Sequence, residues 1–103
     1  MATPSAKSWC VYVLRCRDGS LYTGSTNDLA ARLERHASGN GARYTRSRLP
    51  LSLVYQEHAK DRGAALRREA AMKRLTRAEK LALVGDGYRE RRRLRRRSTP
   101  VPR

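Results

Sequence analysis

The first third of the chain carries a hydrophobic pattern that predicts a β-hairpin. Residues 9 to 16 are rich in aromatic and β-branched side chains, and residues 21 to 23 resume that character after Asp18-Gly19. A two-residue loop at this pair puts Tyr12 and Tyr22 on opposite faces of the sheet. A three-residue loop with Gly19 as a bulge puts both rings on one face, and Asp-Gly suits either turn.

A first helix is predicted after the hairpin. Asn27 or Asp28 can cap its N-terminus, and Gly39 lies near its end. Its apolar positions recur at a spacing of four residues: Leu29, Leu33 and Ala37. Residues 39 to 51 contain glycine, proline and several Arg and Tyr side chains and predict a loop, and residues 53 to 55 predict a third strand.

Two more helices are predicted to complete the domain. Asp61 can cap a helix that reaches residue 74, and Thr76 with Glu79 has the spacing of a capping box for a helix that stops before Gly85. The buried side of the longer helix is predicted to consist of Leu66, Ala70 and the stem of Lys73. The order β-β-α-β-α-α predicts an α+β domain, in which helices flank a small three-stranded antiparallel sheet. It spans residues 9 to 84, between a disordered lead-in at 1 to 8 and a disordered Arg-rich tail at 85 to 103.

The charge of the chain indicates a polyanionic partner. The 103 residues hold 24 Lys and Arg against 9 Asp and Glu, a net charge of +15, of which residues 89 to 103 carry +7 and residues 1 to 88 carry +8. Nucleic acid is the polyanion that such a basic protein most commonly meets. The sequence contains no run of about 18 apolar residues and no signal peptide, so we expect a cytoplasmic protein without a membrane partner.

The two cysteines indicate neither a disulfide nor a zinc site. Cys10 and Cys16 on one strand would lie about 20 Å apart, beyond the ~4.4 to 6.8 Å between α-carbons that a disulfide allows. Together with His36 and His58, they do not have zinc-ligand spacing. We interpret both cysteines as core residues.

Several polar residues could carry chemistry, although each also has an ordinary structural interpretation. Arg32 and His36 lie four residues apart on one helix face, where a guanidinium can grip two phosphate oxygens. Glu69 lies in a strongly basic helix, where its carboxylate could hold Mg²⁺ or form an ion pair with Lys73 at i+4. The solvated arginine and the ion pair are the simpler interpretations of these residues taken singly.

A basic segment that contains one tyrosine predicts contact with nucleic acid. Arginines can contact phosphates while the tyrosine ring stacks on an unpaired base, and the basic helix of Glu69 extends this surface. The candidate nucleic-acid-binding residues are Arg43, Tyr44, Arg46, Arg48, Arg67 and Lys73. A solvated basic loop is the alternative.

The order of these features resembles the GIY-YIG nuclease family, in its small single-domain bacterial branch. The resemblance covers about residues 9 to 84. The matching features are, in order, Cys10-Val11-Tyr12, Tyr22-Thr23-Gly24, Asp28-Leu29 with Arg32 and His36, and a Glu on a later helix. The chain departs from the motifs at Cys10, which stands in place of Gly, and at Thr23, which stands in place of Ile. It also has no Asn after Glu69, although many family members carry one near the site.

The resemblance implies an endonuclease that hydrolyses phosphodiester bonds in DNA with a divalent metal, Mg²⁺ or Mn²⁺, and no small-molecule cofactor. It implies that Tyr12 is a candidate general base, that Tyr22 orders water and phosphate, that Arg32 stabilises the growing charge and that His36 assists. Glu69 would bind the metal, with Glu57 as the fallback. Because Tyr12 and Tyr22 act together only on one face, we expect the three-residue hairpin loop. We also expect Arg32 and the metal to lower the Tyr12 pKa.

The implied substrates are branched or damaged DNA, which would suit a role in repair or recombination. Many family members have an added domain that selects the DNA, so activity could be weak or depend on a protein partner that targets the enzyme. The alternative is a non-catalytic protein that binds nucleic acid, for instance structured RNA, through its basic surface. Salt dependence would not separate the two functions, because both neutralise phosphates.

Overall fold

Strand β1, Cys10–Arg15, lies between β2, Leu21–Thr26, and β3, Ser52–His58. Both pairings are antiparallel, which confirms the predicted three-stranded antiparallel sheet. The computed structural model describes residues 8–85 and 92–93. The β-branched and aromatic side chains of β1 suit a strand that is paired on both sides and almost wholly buried.

The tail prediction is wrong at Arg92–Arg93, which form strand β4. Their backbone pairs antiparallel with Ser52 and Leu53 of β3, because the outer side of β3 offers unpaired amide and carbonyl groups. Residues 86–91 and 94–103 of the predicted tail, and residues 1–7 of the predicted lead-in, lie outside the described residues.

The four helices in residues 8–85 are α1, Leu29–Ala37, α2, Arg43–Arg46, α3, Arg62–Lys73, and α4, Arg77–Val84. Three of them begin directly after residues predicted to cap them, and α2 was not predicted. The Asp28 carboxylate caps α1, the Asp61 carboxylate caps α3, and Thr76 forms the capping box of α4 with Glu79. None of the helices in residues 8–85 is both long and apolar enough to span a membrane.

Helix α2 lies in the segment that was expected to be a loop throughout. The Ala42 carbonyl accepts hydrogen bonds from the amides of Thr45 and Arg46, which closes one helical turn. Thr45 is completely buried and so fixes this turn against the domain. A single turn of this length has no repeating apolar pattern, so the residues alone do not reveal it.

The hairpin has the three-residue loop. Leu14 pairs with Tyr22, the Cys16 amide donates to the Ser20 carbonyl, and Gly19 has a φ of 87°. This register puts Tyr12 and Tyr22 on one face of the sheet, as expected. Only glycine adopts this backbone conformation readily, which explains Asp-Gly at the turn.

Contacts from two sides hold the hairpin turn. Arg48, which follows α2, accepts a hydrogen bond from the Arg17 amide at 2.9 Å, and its guanidinium donates to Asp18 at 3.2 Å. From the other side, Arg77 at the start of α4 donates to the Gly19 carbonyl at 3.2 Å. The turn is therefore joined to both helices.

The two faces of the sheet differ in composition. One face, which we name the apolar face, contains Val11 and Val13 and packs against α3 and α4; its other buried members are Val54, Ala65, Met72 and Val84. The opposite face, which we name the mixed face, contains Tyr12 and packs against α1 and the segment after it; its other buried apolar members are Leu14, Cys16 and Leu51. Both cysteines are buried and unbonded to each other, as predicted.

The predicted buried side of α3 is wrong. Ala65 and Met72 are buried, whereas Leu66 is 42% exposed and Ala70 and Lys73 are exposed. The alanines of this helix are distributed over most of its sides, so its sequence does not define one apolar stripe. The rotation matters for the site, because Glu69 lies four residues after Ala65 on the side of α3 that meets the sheet.

Candidate active site

The Tyr12 ring lies over strand β2 at the position of a glycine. Tyr12 pairs with Gly24 of β2, and a Cβ atom added to Gly24 would lie only 2.5 Å from the Tyr12 hydroxyl oxygen. The absence of a side chain at Gly24 therefore makes room for the ring. Because β2 is an outer strand, this arrangement brings a buried tyrosine hydroxyl close to an edge of the sheet.

A chain of buried hydrogen bonds connects Tyr12 to α1 and α2. The Tyr12 hydroxyl lies 3.0 Å from His36 Nε2, and His36 Nδ1 lies 3.0 Å from the Thr45 hydroxyl. The three residues are 0%, 1% and 0% exposed. Gly41 lies against the His36 ring, where a Cβ atom would overlap Nδ1. Sequence reasoning found Tyr12 and His36 but missed Thr45, because the segment was expected to be a loop.

Burial shifts the pKa of both titratable members of this chain toward the neutral form. It lowers the pKa of His36 from 6.5 to about 4, helped by the positive charges of Arg32 and Arg35. Burial also raises the pKa of Tyr12, and the opposing effect of Arg32 is too small to offset it. The expected lowering of the Tyr12 pKa is therefore not achieved by Arg32.

A pocket of about 260 Å³ opens beside the hydrogen bonds that join Tyr12, His36 and Thr45. Tyr22 connects the two, because its ring contacts that of His36 edge to face at a centroid distance of 5.4 Å. The pocket is lined by Tyr22, Arg32, Arg35, Asn40, Gly41 and Ala42. Two guanidinium groups in so small a space favour an anion. Arg35 and Asn40 were missed from the sequence, although Arg35 follows Arg32 by three residues and so belongs to the same helix face.

Glu69 meets the edge of the sheet from the other side. Its Oε1 accepts a hydrogen bond from the Ser25 hydroxyl at 2.5 Å, and its Oε2 pairs with Lys73 Nζ at 2.8 Å. Ser25 follows Gly24 directly, and the Glu69 charge contributes to raising the Tyr12 pKa. The side chain keeps 18% of its surface exposed. Glu69 thus makes the predicted ion pair and also lies next to the site.

The donor set for a metal is small. Within residues 8–85, no three His, Cys, Asp or Glu side chains come together. A single carboxylate with a neighbouring hydroxyl still fits Mg²⁺, which commonly uses one or two carboxylates and keeps most of its waters. The fallback Glu57 is less suited, because its two carboxylate oxygens already accept hydrogen bonds from Tyr55 and Arg68.

The expected nucleic-acid-binding residues fall into two groups. Tyr44 stacks on Tyr22 at a centroid distance of 6.0 Å, and the Arg48 guanidinium lies 3.8 Å over the Tyr44 ring and also pairs with Asp18. Lys73 pairs with Glu69. The remaining three residues, Arg43, Arg46 and Arg67, are exposed. Base stacking on Tyr44 stays a prediction, and it requires a ring face that Arg48 does not cover.

Comparison with known proteins finds relatives of this domain. The family described as the GIY-YIG catalytic domain matches residues 8–82. A UPF0213 protein of Streptococcus sanguinis is 54% identical over 76 residues, which cover 74% of this chain and 87% of the relative. A UPF0213 protein of Staphylococcus aureus is 50% identical over 76 residues, which cover 74% of this chain and 93% of the relative.

Two structures solved in solution by NMR are similar to this one. A UPF0213 protein of Bacillus halodurans has 45% sequence identity and a TM-score of 0.50, covering 75% of this chain and 82% of its own. A protein of E. faecalis has 41% identity and a TM-score of 0.52, covering 75% of this chain and 83% of its own. The fold and the sequence therefore point to the same set of small domains.

Proposed function

Because the chain belongs to the GIY-YIG family, we propose that it is a divalent-metal-dependent endonuclease that hydrolyses phosphodiester bonds in DNA. The supporting observation is that the pocket and the hydrogen-bonded side chains beside it include four of the residues matched to the family motifs. Tyr22 and Arg32 line the pocket, His36 contacts Tyr22, and Tyr12 hydrogen-bonds His36. Branched or damaged DNA is the proposed substrate, in repair or recombination.

The pocket residues have complementary roles in this proposal. Arg32 and Arg35 bind the phosphate, and Arg32 stabilises the negative charge that grows in the transition state. The Tyr12 and Tyr22 hydroxyls order the attacking water against the phosphate. The raised pKa of Tyr12 keeps its phenol neutral in the free protein, so it begins as a hydrogen-bond partner of water. It becomes a general base only where a further cation arrives with the substrate.

Glu69 is the proposed ligand of Mg²⁺ or Mn²⁺. When bound, the ion would neutralise non-bridging phosphate oxygens and lower the pKa of a coordinated water. The Lys73 ammonium occupies one Glu69 oxygen in the free protein, at 2.8 Å. We expect Lys73 to move from the carboxylate to a DNA phosphate when metal and substrate bind. Glu69 would then be paired with the metal cation, and Lys73 with a negatively charged phosphate.

The rival function is non-catalytic binding of nucleic acid, including structured RNA. The Glu69–Lys73 ion pair favours this alternative, because it neutralises the carboxylate without a metal. The exposed Arg43, Arg46 and Arg67 would serve either function. Catalysis must therefore be tested by bond cleavage rather than by affinity.

The decisive experiment measures nicking of supercoiled, branched and single-stranded DNA and of RNA, with Mg²⁺ or with EDTA. We expect Arg32→Ala and Glu69→Ala each to reduce the rate by about 10² or more at saturating substrate. Arg62→Ala is the matched control. Arg62 is an exposed arginine at the start of α3 and does not line the pocket, so the substitution removes one positive charge elsewhere on the protein. If wild type nicks no substrate faster than the Arg32 and Glu69 variants, the enzyme proposal fails and non-catalytic binding becomes the better account.

A further inference from the structure

The buried hydroxyl of Thr45 has a defined hydrogen-bond direction. Its oxygen lies 3.0 Å from the Ala42 carbonyl oxygen and 3.0 Å from His36 Nδ1. The contact with Ala42 has the geometry of a hydrogen bond, and only the hydroxyl can donate in it, because a carbonyl carries no hydrogen. Thr45 therefore donates its single hydrogen to Ala42, and it can only accept from His36. The hydrogen in the second bond must belong to His36 Nδ1.

The direction continues through His36 to Tyr12. Because His36 is neutral at pH 7, a hydrogen on Nδ1 leaves Nε2 with a lone pair. Nε2 therefore accepts the hydrogen of the Tyr12 hydroxyl, which lies 3.0 Å away. The donors run in one direction from Tyr12 to His36, to Thr45 and to the Ala42 carbonyl. All three side chains are at most 1% exposed, so water does not compete for these hydrogen bonds or reverse their donor direction.

This direction determines what the Tyr12 hydroxyl offers to any further partner. Its only hydrogen points inward to His36, so the oxygen has only acceptor capacity left for other partners. The positive charge of Arg32 acts on this phenol in the direction that lowers its pKa, as expected for a cation near the oxygen. An attacking water would also find an acceptor here, which is the polarity that a water losing a proton requires.

We propose that Thr45 is a positioning residue, which fixes His36 in the Nδ1–H tautomer and thereby holds the Tyr12 hydroxyl as a hydrogen-bond acceptor toward the site. The catalytic consequence rests on the proposed nuclease function, whereas the tautomer itself does not. Thr45 touches no substrate in this scheme and acts through His36.

The tautomer is tested on the free protein by long-range ¹H–¹⁵N NMR correlation of the imidazole rings at pH 7. The chain has two histidines, and the exposed His58 serves as the internal reference. We expect His36 to be protonated at Nδ1 in wild type and in Thr45→Ser. In Thr45→Val, which has nearly the same shape but no hydroxyl, we expect the Nε2–H form. A wild-type His36 protonated at Nε2 overturns the inference, whatever the cleavage activity.

Cleavage then tests the consequence. We expect Thr45→Val to lower kcat by about tenfold or more with little change in KM, since a wrong tautomer removes a correctly oriented partner. Thr45→Ser should stay within about threefold of wild type. Amide NMR spectra check that both variants fold. Equal kcat values for the two variants overturn the positioning role. If wild type cleaves nothing, the nuclease proposal fails, and the imidazole spectra alone decide the tautomer.

Discussion

The two faces of the sheet solve burial in different ways. On the apolar face, Val11 and Val13 pack in a hydrophobic cluster with Met72 and Ala65, and Thr23, opposite Val13, is a buried polar residue on this face. On the mixed face, Tyr12 is hydrogen-bonded to His36, and His36 is hydrogen-bonded to Thr45. Because side chains alternate along a strand, adjacent residues of β1 lie on different faces of the sheet. One face stabilises the fold and the other positions polar groups beside a pocket.

The difference predicts how each face responds to substitution. Removing apolar atoms leaves a cavity and costs stability, whereas removing one polar partner leaves another polar group buried and unpaired. Substitutions on the apolar face should therefore change the free energy of unfolding without changing cleavage by folded molecules. Substitutions on the mixed face should change both.

The largest expected effect on stability lies on the apolar face. Met72→Ala should lower the free energy of unfolding by about 2 to 5 kcal/mol, because Met72 is 1% exposed and its removal leaves a cavity. Leu66→Ala is the control on the same helix; Leu66 is 42% exposed, and we expect a change within about 0.5 kcal/mol. Urea unfolding measures both. Equal losses would show that the apolar face is not what stabilises α3.

The mixed face should make stability depend on pH. The pKa of His36 is about 4 in the folded protein and 6.5 as its ordinary value, so the unfolded chain binds more protons between these limits. Stability is therefore complete above pH 6.5 and falls as the pH drops toward 4, by about 3 kcal/mol. Asp18 and Glu57, whose pKa values are lowered, add to the loss only below about pH 4.5. Urea unfolding of wild type and His36→Gln across this range measures the effect, and parallel curves would contradict it.

A methyl group at Gly24 should disturb the mixed face selectively. Gly24→Ala places a Cβ atom 2.5 Å from the Tyr12 hydroxyl oxygen, so the ring must move. We expect a loss of about 1 to 3 kcal/mol in stability, together with a shift of the His36 ring resonances. Gly63→Ala on α3 is the control, because its nearest neighbour is the flexible end of Arg67 at 3.3 Å. Unchanged His36 resonances in Gly24→Ala would contradict this prediction, because they would show that a methyl group fits beside the Tyr12 ring without moving it.

The smallest effect sharpens the comparison by removing a polar atom from the apolar face. Thr23 lies opposite Val13, is 3% exposed, and its hydroxyl has no hydrogen-bond partner within the described part of the chain. Thr23→Val should raise the free energy of unfolding by about 1 kcal/mol. Thr26→Val should lower it by a similar amount, because the Thr26 hydroxyl accepts a hydrogen bond from the Asp28 amide. Thermal unfolding of both variants gives opposite signs if this interpretation holds.

Local signals predicted the elements well. Asp28, Asp61 and Thr76 cap the helices that begin after them, since a cap acts through bonds within its own turn. The hairpin register needed more than local signals, because Asp-Gly suits two turns. The requirement that Tyr12 and Tyr22 share a face favoured the three-residue loop, and the pairing of Leu14 with Tyr22 confirms it.

Contacts between distant segments were harder to predict. Thr45 becomes buried only because α2 folds against His36, and nothing in the order of residues 39 to 51 marks it. The sequence predicted that Leu66, Ala70 and the stem of Lys73 form the buried side of α3. Packing instead chose Ala65 and Met72, which fit closer to the sheet. The contacts of Glu69 with Ser25 and Lys73 depend on which side of α3 faces the sheet, so the role of Glu69 stays a prediction.

The contacts at the hairpin turn affect where the protein can be modified. The Asp18-Gly19 turn is exposed at Asp18 and is the kind of site where a fluorophore or a fused domain is commonly inserted. Here, however, Arg48 and Arg77 bind the turn, and Arg48 also covers the Tyr44 ring. A label at this turn would therefore disturb α2 and α4 together. Arg62 and Gly63, exposed at the start of α3, provide a better attachment point.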